Sequence, residues 1–201
     1  MIGAIVIQSV FQSIPLLIFI GKYGIKDYIA NFLGFEKRFS FFYALYIGII
    51  AGIMQEAFKY LGVELKPKRF AIWIGLGFSI IDIAALFIDA SIARLITIFI
   101  FLNLISSLSF HPGTAMLLKY GRLIGKRFQY LALAITLHSL IDGGLVYIEM
   151  IGAFFKPKDI LTYINLYWFI VIAISIGVLL SGYVLINKVD DKPIGYVPTQ
   201  T

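Results

Sequence analysis

The chain has 201 residues, of which 60% are hydrophobic and only 14% charged, and its mean hydropathy is +0.93. Soluble domains carry about half apolar and about a quarter charged residues, so this composition excludes an ordinary soluble protein. The formal net charge of +6 does not indicate nucleic-acid binding, because the aromatic residues lie within apolar runs, and the absence of cysteine excludes disulfides, thiolate nucleophiles and cysteine-based metal sites.

The apolar runs are long and unbroken, which predicts membrane-spanning helices rather than the short alternating strands of a barrel. At about 20 residues for each crossing, six spans are predicted. They lie near 2–20, 41–63, 70–90, 92–118, 128–150 and 161–186. The first span has neither a basic leader nor a small-residue cleavage site, so we expect it to be retained.

The connections between the spans are short. The segment from Asp27 to Lys37 has a mixed pattern that favours a short helix lying in the membrane interface, and the polar tail 187–201 is predicted to be loose. Neither an internal repeat nor a Gly/Ser-rich or Pro-rich linker divides the chain. We therefore expect one transmembrane domain over 1–201, an all-α polytopic membrane helical bundle in contact with the lipid bilayer.

The distribution of basic residues predicts the orientation. With six crossings, the amino terminus, the loops 64–69 and 119–127 and the tail lie on one side, which carries nine basic residues against seven on the other side. Because cytoplasmic loops carry an excess of Lys and Arg, this side is predicted to be cytoplasmic.

Among the ionisable residues inside the spans, where a charge is costly unless it is paired or hydrated, six stand out. They are Glu56, Lys59, Asp82, His111, His138 and Asp142. Counted from Lys119, Arg127 and Glu64 at about 1.5 Å per residue, His111, His138 and Glu56 lie roughly 12–16 Å deep. Three groups from three helices at similar depth predict one shared site near the cytoplasmic side.

Local spacing supports this interpretation. His138 and Asp142 are four residues apart and Glu56 and Lys59 three apart, so each pair shares a helix face. Pro112 is expected to draw His111 away from regular helix and to open room for water.

These residue types suit the activation of a water molecule. A carboxylate acts as general base, while imidazoles either bind a metal ion or stabilise an oxyanion, and Asp142 would orient His138. Glu56, His111 and His138 form a ligand set known from catalytic zinc sites, so one zinc ion is a possible cofactor, although the chain has no HExxH motif.

Three motifs carry a resemblance to a known family. They are Gln55-Glu56-Ala-Phe-Lys59-Tyr60, His111-Pro-Gly-Thr and His138-Ser-Leu-Ile-Asp142. Together they resemble the motifs of CPBP-type intramembrane proteases, in particular the YhfC-like and PrsW-like branch, which is related to CAAX prenyl endopeptidases and to the anterior-pharynx-defective subunit of γ-secretase. The resemblance covers 41–150.

This resemblance implies hydrolysis of a peptide bond in a membrane-anchored or hydrophobic peptide, with Glu56 as base and His111, His138 and Asp142 binding or polarising. Gln55, Lys59 and Asp82 would support the site. Gln55 stands where many active relatives have a second Glu, and Ser107 where the CAAX-type motif often has Phe.

Other interpretations stay open at this point. Because the γ-secretase subunit also carries a Gln-Glu pair, the chain could be a non-catalytic scaffold or assembly subunit, and buried acids and histidines also mark proton-coupled transporters. Glu56 and Lys59 could form an internal ion pair, Gln55 could hydrogen-bond across helices, and Asp82 could line the site, bind a proton or pair with a buried donor. Gly75, Gly77, Gly143 and Gly144 are interpreted as close-packing positions between helices.

Overall fold

The computed structural model describes residues 2–93 and 98–191, and every regular element in these ranges is a helix. The helices are α1 (Ile2–Gln12), α2 (Ile14–Arg38), α3 (Ser40–Glu64), α4 (Ala71–Ala93), α5 (Ile98–Leu123), α6 (Arg127–Phe154) and α7 (Ile160–Asn187), with a 3₁₀ turn at Lys68–Phe70. The predicted all-α fold is confirmed. Arg94 and most of the predicted loose tail, 192–201, lie outside the described residues.

Within the described residues, five helical segments are long and apolar enough to cross a membrane, in agreement with a multi-pass membrane protein. They are Ser40–Glu64, Lys68–Phe87, Ile98–Leu123, Arg127–Phe154 and Ile160–Asn187. A sixth span is reached if Gly3–Gln12 and Ile14–Arg38, bent by 41° at their junction, count as one. The orientation inferred from the basic residues stays a prediction.

The amino-terminal region departs from a simple first span. Helix α2 is interrupted at Gly24, whose φ of 74° is a conformation that glycine adopts readily. The ring of Phe19 then lies 5.5 Å from Phe32 and 5.2 Å from Phe35. In a straight helix these rings would be roughly 20 Å or more apart, so the chain folds back at Gly24. The segment after Gly24 contains the short helix that the sequence predicts after Asp27.

The described residues divide into two compact units. Unit 1 comprises the residues up to Glu56 together with Ile135–Val171, and unit 2 comprises Ala57–Ala134 together with the residues from Ile172. Helices α3, α6 and α7 each contribute to both units. The single transmembrane domain of the sequence analysis stays a prediction.

In unit 1, small residues bring α3 and α6 into backbone contact. A Cβ atom at Gly48 would meet the Ser139 carbonyl oxygen and would lie 2.7 Å from the Cα atom of Gly143, and one at Gly52 would meet the Ser139 side chain. At Gly143 a Cβ atom would lie 3.0 Å from the Ala44 carbonyl oxygen, which confirms the close packing predicted there. Glycine therefore sets the separation of α3 and α6 in this unit.

In unit 2, α5 supplies most of the buried residues. Ten consecutive residues, from Phe110 to Lys119, are buried. Helix α4 packs against α5 at Gly75, where a Cβ atom would meet the backbone of His111 and Pro112, which confirms close packing at Gly75. Helix α5 runs through Pro112 without interruption, so the expectation that His111 leaves regular helix is wrong. The backbone contact from α4 holds this segment in place.

Lys119 shows why the predicted end of the fourth span lies too early. From the sequence we expect it in a loop, but α5 continues to Leu123 and Lys119 is only 3% exposed. Its Nζ atom donates hydrogen bonds to the carbonyl oxygens of Val63, at 3.2 Å, and Lys66. These carbonyls lie at and just beyond the end of α3, where backbone acceptors lack helical partners, so the lysine acts as a cap.

The helix contact in unit 1 makes a testable prediction. Gly48→Ala should lower the free energy of unfolding by about 1–3 kcal/mol, because the added methyl group forces apart backbone atoms that cannot move independently. A lower melting temperature of the purified protein in detergent would show this. The matched control is Gly177→Ala, since a Cβ atom there meets nothing within 4 Å. Equal melting temperatures for the two variants would contradict the close approach of α3 and α6.

Candidate functional site

Helix α3 carries three polar residues at membrane depth. Gln55, Glu56 and Lys59 are 4%, 0% and 0% exposed, respectively. Glu56 and Lys59 are separated by three residues and share a face of the helix. Glu56 belongs to unit 1 and Lys59 to unit 2, and each is a fully buried member of a group of polar side chains described within its own unit.

The first group, here named the glutamate cluster, consists of Glu56, His138 and Asp142 in unit 1. The Nδ1 atom of His138 lies 2.6 Å from the Glu56 Oε1 atom, a short charge-assisted hydrogen bond. The other ring nitrogen, Nε2, lies 3.4 Å from the Asp142 Oδ2 atom. Both nitrogens of this imidazole therefore face a carboxylate oxygen.

The exposed fraction of the side chains increases sharply from one end of the glutamate cluster to the other. Glu56 is 0% and His138 2% exposed, whereas the side chain of Asp142 is 33% exposed. The cluster thus has a closed end at Glu56 and an open end at Asp142. Since Asp142 lies one turn after His138 on α6, the i, i+4 spacing produces this order.

Gln55 ties the same part of α3 to α1. Its Nε2 atom donates a hydrogen bond of 3.2 Å to the Gln8 side-chain oxygen, and Gln12 Nε2 donates one of 3.0 Å to the Ile47 carbonyl oxygen. The interpretation of Gln55 as a residue that hydrogen-bonds across helices is confirmed. The contacts of Gln8 and Gln12 with α3 were not predicted from the sequence. The signal that could have indicated them is the occurrence of two glutamines four positions apart in an apolar segment.

The second group, here named the lysine cluster, consists of Lys59, Asp82, His111 and Thr114 in unit 2. Lys59 Nζ lies 2.8 Å from His111 Nδ1 and donates a second hydrogen bond of 2.8 Å to Thr114 Oγ1. The opposite ring nitrogen of His111, Nε2, lies 2.5 Å from the Asp82 Oδ2 atom. The imidazole thus connects an ammonium group to a carboxylate.

With Lys59 as an ammonium group, these contacts are satisfied by one tautomer of His111. An ammonium group has only donors, so Nδ1 accepts from Lys59 and carries no proton. The proton therefore sits on Nε2, from which it is donated to Asp82. A carboxylate on the far nitrogen is the usual means of fixing an imidazole's tautomer and ring orientation.

Aromatic rings surround the buried ammonium group. Lys59 Nζ lies 5.6 Å from the ring centroids of both Phe78 and Phe110, within the range of cation–π attraction. Ser79 supports the same region, because its hydroxyl donates a 2.7 Å hydrogen bond to the Ser107 carbonyl oxygen and so links α4 to α5. Residues of α3, α4 and α5 therefore hold the lysine cluster in place.

The structure brings the six predicted ionisable residues together in two clusters. Asp82 pairs with His111, and pairing with a buried donor was one of the roles that the sequence left open for it. Thr114 was not predicted, because a threonine in an apolar helix carries no distinct signal. The predicted metal ligands divide between the units, with Glu56 and His138 in one and His111 in the other. As each imidazole nitrogen already faces a protein partner, a zinc ion would have to replace one of them, and the zinc site stays a prediction.

An all-α fold with membrane-length helices and paired acid–histidine contacts defines the class of protein as a multi-pass membrane protein with buried ionisable clusters. No protein-family model, no curated protein and no solved structure matches this chain. The resemblance to intramembrane proteases accordingly rests on the three sequence motifs.

The lysine cluster makes the second prediction. Thr114→Val, which keeps the shape of the side chain but removes its oxygen, should lower the free energy of unfolding by about 1–3 kcal/mol, because the buried ammonium of Lys59 loses an acceptor. Thr114→Ser keeps that oxygen and should recover most of the loss. Thermal unfolding of both variants gives the comparison. A valine variant as stable as the serine variant would contradict the hydrogen bond.

Proposed function

We propose that the chain is an intramembrane peptidase, which hydrolyses a membrane-associated peptide with water activated by Glu56. The observation that supports this most directly is the 2.6 Å contact between His138 and Glu56 on long apolar helices. A carboxylate paired with an imidazole is a general acid–base arrangement, and placing one at membrane depth is costly without a function.

The reaction uses the residues of the glutamate cluster in turn. Glu56 accepts a proton from water while the water oxygen bonds to the carbonyl carbon of the scissile peptide. His138 holds the carboxylate of Glu56 in place through Nδ1, and Asp142 orients the ring from the other side. The proton then passes from Glu56 to the peptide nitrogen as the carbon–nitrogen bond breaks.

The position of the glutamate cluster in the protein indicates the kind of substrate. Glu56 and His138 lie on helices of membrane length, so a peptide that reaches them is itself hydrophobic or membrane-anchored. Asp142, at 33% exposure, marks the side from which water and peptide approach. His111 is hydrogen-bonded between Lys59 and Asp82 in unit 2 and has a supporting part in this proposal.

The proposal is tested by a matched pair of substitutions on α3. Glu56→Gln should reduce peptide cleavage about 10²–10⁴-fold, because the amide cannot accept the proton from water. Glu64→Gln, the same change two turns along the helix, should leave the rate unchanged, since Glu64 contacts only Tyr60 and Arg122 at the surface of unit 2 among the described contacts. Purified protein in detergent and a library of hydrophobic peptides analysed by mass spectrometry provide the measurement. Cleavage at the wild-type rate by Glu56→Gln would refute Glu56 as the base.

A second candidate function is a scaffold subunit that keeps the fold without the reaction. The observation in its favour is the burial of the clusters: Glu56, Lys59, His111 and His138 are all at most 3% exposed. Buried polar groups that hydrogen-bond across helices stabilise and specify helix packing in membranes.

The scaffold function makes a different prediction for the same chain. His138→Ala should lower the free energy of unfolding by about 3–5 kcal/mol, because it leaves Glu56 without this partner, and the wild-type protein should have no peptide turnover to lose. Thermal unfolding and the cleavage assay on one preparation separate the two functions. Wild-type cleavage that Glu56→Gln abolishes without lowering the melting temperature would exclude the scaffold function.

A further inference from the structure

Unit 1 contains a cavity at the end of α6 and the beginning of α7. Its volume is about 750 Å³, within the usual range of roughly 300–1,000 Å³ for small-molecule sites. The lining is largely apolar and includes Ile148, Ile151, Phe155, Ile160, Leu166 and Ile170. Three tyrosines and Ser40 are the other main contributors, so the cavity suits a chain of hydrocarbon groups.

Two segments that contribute lining residues, 36–40 and 155–159, carry more basic than acidic residues and are here named the mouth of the cavity. Ser40, which lines it, follows Lys37 and Arg38, and Pro157, which also lines it, lies between Lys156 and Lys158. Glu36 and Asp159 are the acidic residues of these two segments, 36–40 and 155–159, which leaves four basic side chains against two acidic ones. The excess of positive charge therefore lies where the apolar helices end.

Lys156 adopts an unusual backbone conformation at this point. Its φ is 45°, in the left-handed region that favours glycine, and it is the one described non-glycine residue with a positive φ. Its N–H donates a 3.2 Å hydrogen bond to the Ile151 carbonyl oxygen at the end of α6. Glycine is the usual residue at such a helix end, so a lysine here places a charge at the mouth at a conformational cost.

From the apolar cavity and its basic mouth we propose that unit 1 binds one anionic phospholipid, with an acyl chain in the cavity and the phosphate group near Lys156 and Lys158. Basic clusters at the ends of membrane helices attract anionic headgroups, and long basic side chains reach the interface while their stems cover apolar surface. A neutral lipid would fill the cavity equally well but would leave the basic mouth without a partner charge. This site does not depend on peptidase activity.

The experiment uses the full-length protein in detergent with added phosphatidylglycerol or phosphatidylcholine. Saturating phosphatidylglycerol should raise the melting temperature by roughly 5–10 °C, and phosphatidylcholine should raise it much less. Native mass spectrometry should retain one phosphatidylglycerol per chain. Equal shifts with the two lipids, or no retained lipid, would overturn the proposal.

Two variants locate the binding. Lys156→Gly combined with Lys158→Gln removes the charges while supplying the residue that a φ of 45° favours, so the variant should fold and lose the preference for phosphatidylglycerol. Lys22→Gln combined with Lys26→Gln removes two lysines that adjoin no lining residue, and should keep that preference. Ile151→Trp should reduce binding of both lipids by filling the cavity. A preference that survives the first pair of substitutions, or a dimer in place of the lipid adduct, would refute the site.

Discussion

The short contact between His138 and Glu56 is the interaction on which the interpretation of this chain depends. A carboxylate with no exposed surface inside an apolar helix is unstable unless another group compensates its charge, and His138 does so at 2.6 Å. Such a contact needs the two helices to be close, because neither side chain is long. The glycines of α3 and α6 provide this closeness: Gly48 and Gly52 face Ser139 and Gly143 with no room for a methyl group. Small residues with no chemistry of their own thus decide whether the acid and the imidazole meet.

In unit 2, too, a glycine lets two helices come close enough for a carboxylate and an imidazole to meet. Here α4 and α5 pack together at Gly75. The backbone of Pro112 touches this glycine, and the neighbouring His111 reaches Asp82 across the contact at 2.5 Å. Proline removes one backbone donor from α5, yet the helix continues, because packing from α4 restricts the alternatives. Local preference is here overridden by a tertiary contact. The expectation of a disrupted helix at His111 failed for this reason.

Much of the fold could be predicted from the sequence, because membrane-length apolar runs have few alternatives to helices. The relations along a single helix were also accessible: His138 and Asp142 at i, i+4 share a face, and their side chains lie 3.4 Å apart. Contacts between different helices could not be predicted from the sequence. The pairing of Asp82 with His111 depends on the rotation of α4 about its axis, which hydropathy leaves undetermined when a helix is apolar on all sides. Lys119 was assigned to a loop for a related reason, since its charge suggested exposure while two carbonyl oxygens near the end of α3 bind it in the interior.

In both clusters the exposed fraction of the side chains increases from the residue of α3, through the histidine, to the aspartate. In each, a charged residue of α3 has no exposed surface, an imidazole follows, and an aspartate, 33% exposed at Asp142 and 27% at Asp82, forms the other end. Contact with the surroundings therefore occurs at the aspartates rather than at Glu56 or Lys59. If the chain is the peptidase proposed above, water would enter beside Asp142 and pass the imidazole of His138 before it met Glu56. The imidazole would then stand between that water and Glu56, so the proposed reaction would require the ring of His138 to give access while keeping its hydrogen bond to Glu56.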